Sequence, residues 1–394
     1  GVLSPDVVSV TGSAAFAAPG AGAQAVQQGT AALSGADMGN YVLAWVDGSG
    51  TISKASLVVT ASNASKTYDG LAYSGGNGVS YSGLVHGETS AVLGGTLSYA
   101  GSSRGAIDAG TYAIRASGLT SSNYAISYVD GSLTVGKAHA TVTAESPTYT
   151  YNGVSRQASD FTVTGLVNGE TVSVLTGVSV SGGGTNAGTY TTTATGSSNN
   201  YTLSFVNGAM TINKAQATVT ASSDSYVYNG LSRAASGFAA TGLVNGETIA
   251  VLSGVSVSGG GSHAGTYTTT PSGNDVNYTL TFVNGTMTIN KAPLTITALD
   301  AIKTYNGLAY SGGNGLGYVG LVNGETSGVL TGTVSYGGSA QGAIGAGLYS
   351  LVPSGLGSSD YAITYHNGSL AVWKADATVT AASDIYTYNG NSRT

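Results

Sequence analysis

The sequence contains no cysteine, which excludes disulfides, thiolate-bound metal and thiol catalysis together. Charge is scarce as well: only 8% of 394 residues are Asp, Glu, Lys or Arg, against about 25% in a typical globular chain. With 12 Lys and Arg and a net charge of −6 there is no basic face for a phosphate backbone, so nucleic-acid binding is disfavoured. No apolar run approaches the ~18 residues of a membrane-crossing helix, and no signal-peptide pattern opens the chain. Proline occurs only 6 times, whereas glycine (62) and tyrosine (25) are abundant. Glycine at that level could mark a flexible linker, but the tyrosines and the alternating Val, Ile and Leu point to folded β-structure.

A repeat organises the chain. Lys-Ala recurs at Lys54, Lys137, Lys214, Lys291 and Lys374, spaced 83, 77, 77 and 83 residues apart. Tyr-Asn/Asp-Gly keeps the same beat at Tyr68, Tyr151, Tyr228, Tyr305 and Tyr388. Between them recur Gly-Leu-Val-Asn/His-Gly-Glu-Thr, carrying Glu88, Glu170, Glu247 and Glu325, and Ala-Gly-Thr/Leu-Tyr from Ala109, Ala187, Ala264 and Ala346. The units come as two variants in the order long, short, short, long: 56–138, 139–215, 216–292 and 293–375. Residues 1–55 match the C-terminal part of a divergent repeat, and 376–394, closing just after Ser392-Arg393, the N-terminal part of a further one. The chain is therefore expected to be a window on a longer array.

Each unit reads as short strands between turns, an all-β (mostly β) fold with room for one short helix. In the first short unit, 140–144, 148–151, 161–164, 178–181 and 189–195 alternate as strands. Residues 170–175 fit a single helical turn capped by Asn168, with a strand as the competing reading. The final segment predicts a hairpin. Asn207-Gly208 offers two residues suited to a type I′ turn, which would pair Phe205 with Met210 and Leu203 with Ile212. Asp130-Gly131, Asn284-Gly285 and Asn367-Gly368 repeat the pattern, and in the first segment Trp45 would face Gly50 and Leu43 face Ile52. No Gly/Ser/Pro linker separates Lys-Ala from the next strand, so neighbouring units are expected to meet stiffly. Units of ~80 residues are then expected to build an elongated rod on the order of 150 Å.

Candidate chemistry is sparse. Four of the five glutamates lie in Gly-Glu-Thr and five of the seven lysines in Lys-Ala. A Lys–Asn isopeptide crosslink would need Lys, Asn and Glu in one apolar core. The favoured reading lays each junction lysine across a tyrosine or pairs it with Glu. No Ser, His and carboxylate recur together, no calcium loop or calcium β-roll nonapeptide appears, and strand-like sequence follows the Gly75–Gly78 pattern. No enzyme activity, metal or cofactor is expected. Long units carry additional tyrosines, Tyr73, Tyr81 and Tyr99, repeated as Tyr310, Tyr318 and Tyr336. These could stack on sugar rings or fill a larger core.

Taken together, the Tyr-Asp/Asn-Gly, Gly-Leu-Val-Asn-Gly-Glu-Thr, Ala-Gly-Thr-Tyr, Asn-Tyr and Val-Asn-Gly…Ile-Asn-Lys-Ala series resembles the MBG and YDG repeat domains of large bacterial surface adhesins. Such domains are often found in filamentous-haemagglutinin-like proteins exported by two-partner secretion. The resemblance implies a β-grasp-like module, an extracellular location at the bacterial cell surface, and a stalk or adhesive role in adhesion or biofilm. The partners it implies are neighbouring repeats of the same chain, with exopolysaccharide or host glycans, or lateral filament assembly, as the alternatives. A cysteine-free chain also suits export through a narrow pore past an oxidising periplasm.

Overall fold

A computed structural model describes residues 1–392; Arg393, paired above with Ser392, lies outside them. The fold is all-β, and the helical segments among the described residues are single 3-10 turns such as Ser90–Val92 and Val172–Val174. Two compact units divide the chain. The first holds Gly1–Thr148, Arg156–Gly184 and Thr189–Thr211; the second holds Tyr149–Ser155, Thr185–Gly188 and the chain from Ile212 onward.

The first long repeat, within the first unit, shows the plan. Its strands are β1 (Ala55–Ala61), β2 (Ala64–Thr67), β3 (Val79–Ser82), β4 (Gly94–Ala100), β5 (Gly110–Thr120), β6 (Tyr124–Val129) and β7 (Gly131–Gly136). They form two sheets, one in the order β6-β1-β3 and one in the order β2-β7-β5-β4. In the first sheet β1 is central, parallel to β6 and antiparallel to β3. In the second, β7 runs parallel to β2 and antiparallel to β5. Leu57, Val59, Ile114, Leu133 and Val135 are buried between them, the period-2 pattern of the sequence turned inward. The second unit repeats the plan from Ala215–Ala221 to Gly285–Asn290, and again from Ala292–Ala298 to Gly368–Trp373. Short repeats replace part of the long-repeat loop by a two-residue pair, Arg156–Gln157 with Gly183–Gly184 in one and Arg233–Ala234 with Gly260–Gly261 in the other.

The expected final hairpin does not form. β6 and β7 belong to different sheets, as do Tyr201–Val206 and Gly208–Asn213, Tyr278–Val283 and Gly285–Asn290, and Tyr361–His366 and Gly368–Trp373. Asp130-Gly131, Asn207-Gly208, Asn284-Gly285 and Asn367-Gly368 are crossings between sheets, and none of these residues has positive φ. Glycine is required there for a different reason. A Cβ on Gly285 would lie 2.4 Å from the Ala221 carbonyl oxygen and 2.5 Å from that of Ser222, and Gly131, Gly208 and Gly368 meet the same obstruction. Local pattern favoured a hairpin, but β1 and its counterparts offer β6 a parallel partner and win the pairing.

The ends depart from expectation for a related reason. Residues 41–47 form no strand, and Gly48–Ile52 pairs with Gly22–Gln27, so Trp45 does not face Gly50, which opposes Gln24. Val42 and Val46 stand exposed because no counterpart of β1 lies alongside them. Residues 374–390 likewise carry no strand, and Val379, Ile385 and Tyr388 are exposed. The turn near Glu170 is 3-10 over Val172–Val174 with Thr171 at its N-cap rather than Asn168.

The crossing geometry makes a test. Asn284→Thr, at an exposed residue without positive φ, should change stability by no more than about 0.5 kcal/mol in urea unfolding. Gly285→Ala should cost roughly 1–3 kcal/mol by forcing the backbone apart. A type I′ turn would instead penalise the β-branched residue at 284.

Candidate functional site

The residues that recur most strictly meet at the boundaries between repeats. In the first unit, Val167-Asn168-Gly169-Glu170 forms a tight turn with φ of 52° at Asn168 and 71° at Gly169, and the Glu170 N–H donates to the Val167 carbonyl at 3.0 Å. Two positive φ values identify it as a type I′ turn, which Asn and Gly suit. The turn aims the Glu170 carboxylate at two phenols. Tyr201 of the same repeat donates to Oε2, and Tyr68 of the preceding repeat donates to Oε1 at 2.5 Å. The Tyr201 hydroxyl also accepts from the Val167 N–H at 3.1 Å, so its donor is turned to the carboxylate. The two rings meet edge to face, centroids 5.4 Å apart at 77°.

The second unit contains the same cluster twice. Glu247 receives Tyr151 at 2.5 Å and Tyr278, with rings 5.5 Å apart at 80°. Glu325 receives Tyr228 at 2.5 Å and Tyr361, again 5.5 Å apart at 80°. Tyr68, Tyr151 and Tyr228 are each only 6% exposed, whereas Tyr305 is 45% exposed and Tyr388 94%. Burial of this tyrosine thus follows from a following repeat that supplies the Glu.

Two further clamps flank each cluster. The glycine of Tyr-Asx-Gly packs against the turn asparagine: a Cβ on Gly70, Gly153 or Gly230 would lie 2.9, 2.8 or 2.7 Å from the Cβ of Asn168, Asn245 or Asn323. The same asparagines donate to the Gly70, Gly153 and Gly230 carbonyls at 3.3, 3.4 and 3.2 Å. On the other flank, the alanine N–H of Ala-Gly-Thr-Tyr donates to the residue before the second tyrosine. Ala109 reaches Asn200 Oδ1 at 2.9 Å, Ala187 reaches Asn277 at 2.8 Å and Ala264 reaches Asp360 at 2.7 Å. Beneath the first junction the apolar core is continuous, running from Leu133 and Val135 through Ala138, Ala140 and Val142 to Tyr201.

The junction lysines serve differently from expectation. Lys54, Lys137, Lys214 and Lys291 donate Nζ to the carbonyls of Ser121, Ser198, Asp275 and Ser358, at 2.9, 2.7, 2.6 and 2.8 Å. The glutamates accept from phenols instead, in hydrogen bonds strengthened by the charge of the carboxylate. Lys374 is exposed. Of the additional long-repeat tyrosines, Tyr99 and Tyr336 press their rings against Gly76 and Gly313, where a Cβ would lie 2.3 Å away. Tyr81 and Tyr318 pack on the apolar cores. Tyr73, with Asn63, Asn77, Ser132 and Thr134, lines a groove.

The domain model of the MBG domain (YGX type) matches residues 57–134, 140–211, 217–288 and 294–371. The chain belongs to the MBG domain family. Such repeats are typical of extracellular surface proteins, and no described helix is long and apolar enough to cross a membrane. No curated protein matches. Among solved structures, three faint likenesses each have a TM-score of 0.19. Drosophila N-cadherin EC1-4 is 8% identical, over 81% of this chain and all of that one. The Bacillus anthracis TIE protein is 7% identical over 94% and 75%, and the protocadherin GammaB4 extracellular domain 8% over 83% and 69%.

The clusters shift the tyrosines upward. Hydrogen bonding to Glu170, then burial, pushes Tyr68 to about 12, and Glu247 with burial does the same to Tyr151. Burial first and then Glu247 raise Tyr278 to about 12. A tyrosine whose folded value is raised contributes stability that is complete below its ordinary value of about 10 and is lost as pH climbs through the folded value. The MBG array should therefore lose stability between about pH 10 and 12, and Tyr68→Phe with Tyr151→Phe should flatten that loss in thermal melts. At neutral pH a double-mutant cycle of Tyr151→Phe with Glu247→Gln should return a coupling of roughly 1–3 kcal/mol, the range of a hydrogen bond to a charged group.

Proposed function

We propose that this MBG array is the structural stalk of a secreted bacterial cell-surface adhesin, exported by two-partner secretion and holding an adhesive or matrix-binding element away from the cell. The observation that carries the reading is the shared carboxylate of the Tyr–Glu–Tyr cluster, present with the same geometry at the three junctions where Glu170, Glu247 and Glu325 stand. A carboxylate that draws one donor from each of two repeats resists both their separation and their rotation. A flexible tether would need none of this, since Gly/Ser linkers reach by coiling. The Ala of Lys-Ala supports the same reading: Ala138, Ala215 and Ala292 each open a strand and donate to the carbonyls of Asn200, Asn277 and Asp360 at about 3 Å. Among the described residues a single lysine, Lys137, Lys214 or Lys291, separates the last strand of one repeat from the first of the next.

The mechanism is mechanical, and catalysis has no part in it. Low charge, an absence of cysteine and small repeats that complete their cores on meeting a neighbour suit folding one repeat at a time on emergence from a pore. Paired spin labels in adjacent repeats of the full chain test the stalk. The expected distance distributions are narrow, and Tyr68→Ala should broaden the one that spans its junction. Broad distributions in the unsubstituted chain would defeat the proposal.

A further inference from the structure

The long repeat carries a groove that the junctions do not use. In the first long repeat it measures about 520 Å³ and is lined by Asn63, Ala64, Ser65, Tyr73, Asn77, Ser132 and Thr134. Its floor is the outward face of β2 and β7, where Ser65 and Thr134 stand directly opposite each other. The loop between β2 and β3 forms the wall. That wall is held in place: Tyr73 donates its N–H to Ala106 and accepts from Gly105, both at 2.9 Å, and Asn77 Nδ2 donates to the Asn63 carbonyl at 2.7 Å. Asn63 Oδ1 is fixed in turn by the Ser132 N–H at 2.8 Å.

These bonds spend backbone groups and one end of each amide. The Ser65, Ser132, Thr134 and Tyr73 hydroxyls, the Asn63 Nδ2 and the Asn77 Oδ1 make no hydrogen bond among the described residues. Six neutral donors and acceptors thus converge on one groove with a single aromatic wall and no charged lining residue. An anion or cation would find no counter-charge there, and an apolar ligand would strand the hydroxyls. A pyranose ring offers the complement, an apolar face for the phenol ring and a rim of hydroxyls for the amides and alcohols. We propose that this groove in the first long repeat binds one neutral hexopyranose unit of a glycan. The site is separate from the junctions, so it stands or falls independently of the stalk.

The second long repeat supplies the control. The same wall is built there: Tyr310 donates to Ala343 and accepts from Gly342, and Asn314 Nδ2 donates to the Asp300 carbonyl at 2.7 Å. Yet the opposed pair on the floor is Ile302 and Ala371. Asp300 replaces the first amide, and its Oδ1 already binds both the Ser369 N–H and hydroxyl. The fold therefore accepts an Ile/Ala floor in the same register while losing the polar groups a sugar would use.

The experiment titrates the full chain with maltose, cellobiose and N,N′-diacetylchitobiose, and with sialyllactose as the anionic comparison, read by saturation-transfer NMR and calorimetry. At least one neutral disaccharide should bind. The double variant Ser65→Ile, Thr134→Ala should weaken it at least about tenfold without moving the thermal melt, since it removes two hydroxyls the sugar would bond. Tyr73→Ala should weaken it as well. Absence of binding by every neutral sugar, preference for the anionic one, or undiminished binding by the double variant would each overturn the proposal.

Discussion

A carboxylate held by two phenols is the constraint on which the rest of the array depends. A half-buried carboxylate needs donors, and each of Glu170, Glu247 and Glu325 finds one in its own repeat and one in the repeat before. The preceding tyrosine is buried only by that encounter. A repeat taken alone would leave a half-satisfied carboxylate at one end and a bare phenol at the other. Stability is therefore shared between neighbours, the nearest-neighbour logic of repeat proteins, and here its carrier is one hydrogen-bonded triad per boundary.

Around that fixed centre the flanking contacts vary. The residue that accepts from the alanine N–H is Asn200 or Asn277 at two junctions and Asp360 at the third. Its second contact changes with it, to Asp108, Asn186 or His263. The backbone bond survives each change because any short side chain with an oxygen at that point can accept it. Larger differences lie on the outward sheet face. Thr111, Thr134 and Ser65 form a row of hydroxyls across the first long repeat, where the second carries Leu348, Ala371 and Ile302. Junction residues are thus held constant by the need to close on a neighbour, and the lateral face is free to diversify.

Several of these features could be read before any coordinate was known. Spacing of Lys-Ala and Tyr-Asx-Gly separated the repeats, and alternation in segments such as 161–164 located strands that form as Phe161–Thr164. Glutamate stands out through its confinement to Gly-Glu-Thr, but the sequence points to the lysines as its partners. Opposite charge is the obvious mate for a carboxylate in a sequence, and a tyrosine about 100 residues upstream carries no mark of it. The asparagines of Asn-Tyr and the alanines of Ala-Gly-Thr-Tyr were visible as motifs without a role.

The sequence by itself determined the repeat and most of its strands, because periodicity and composition are written residue by residue. Only the tertiary structure decided which strands pair and what the recurring Glu is for. Asn207-Gly208 has the local chemistry of a hairpin turn, yet the strands on either side enter different sheets, since pairing is settled by partners far along the chain. The tyrosine–glutamate bond crosses from one repeat to the next for the same reason: its two halves become neighbours only after both repeats have folded.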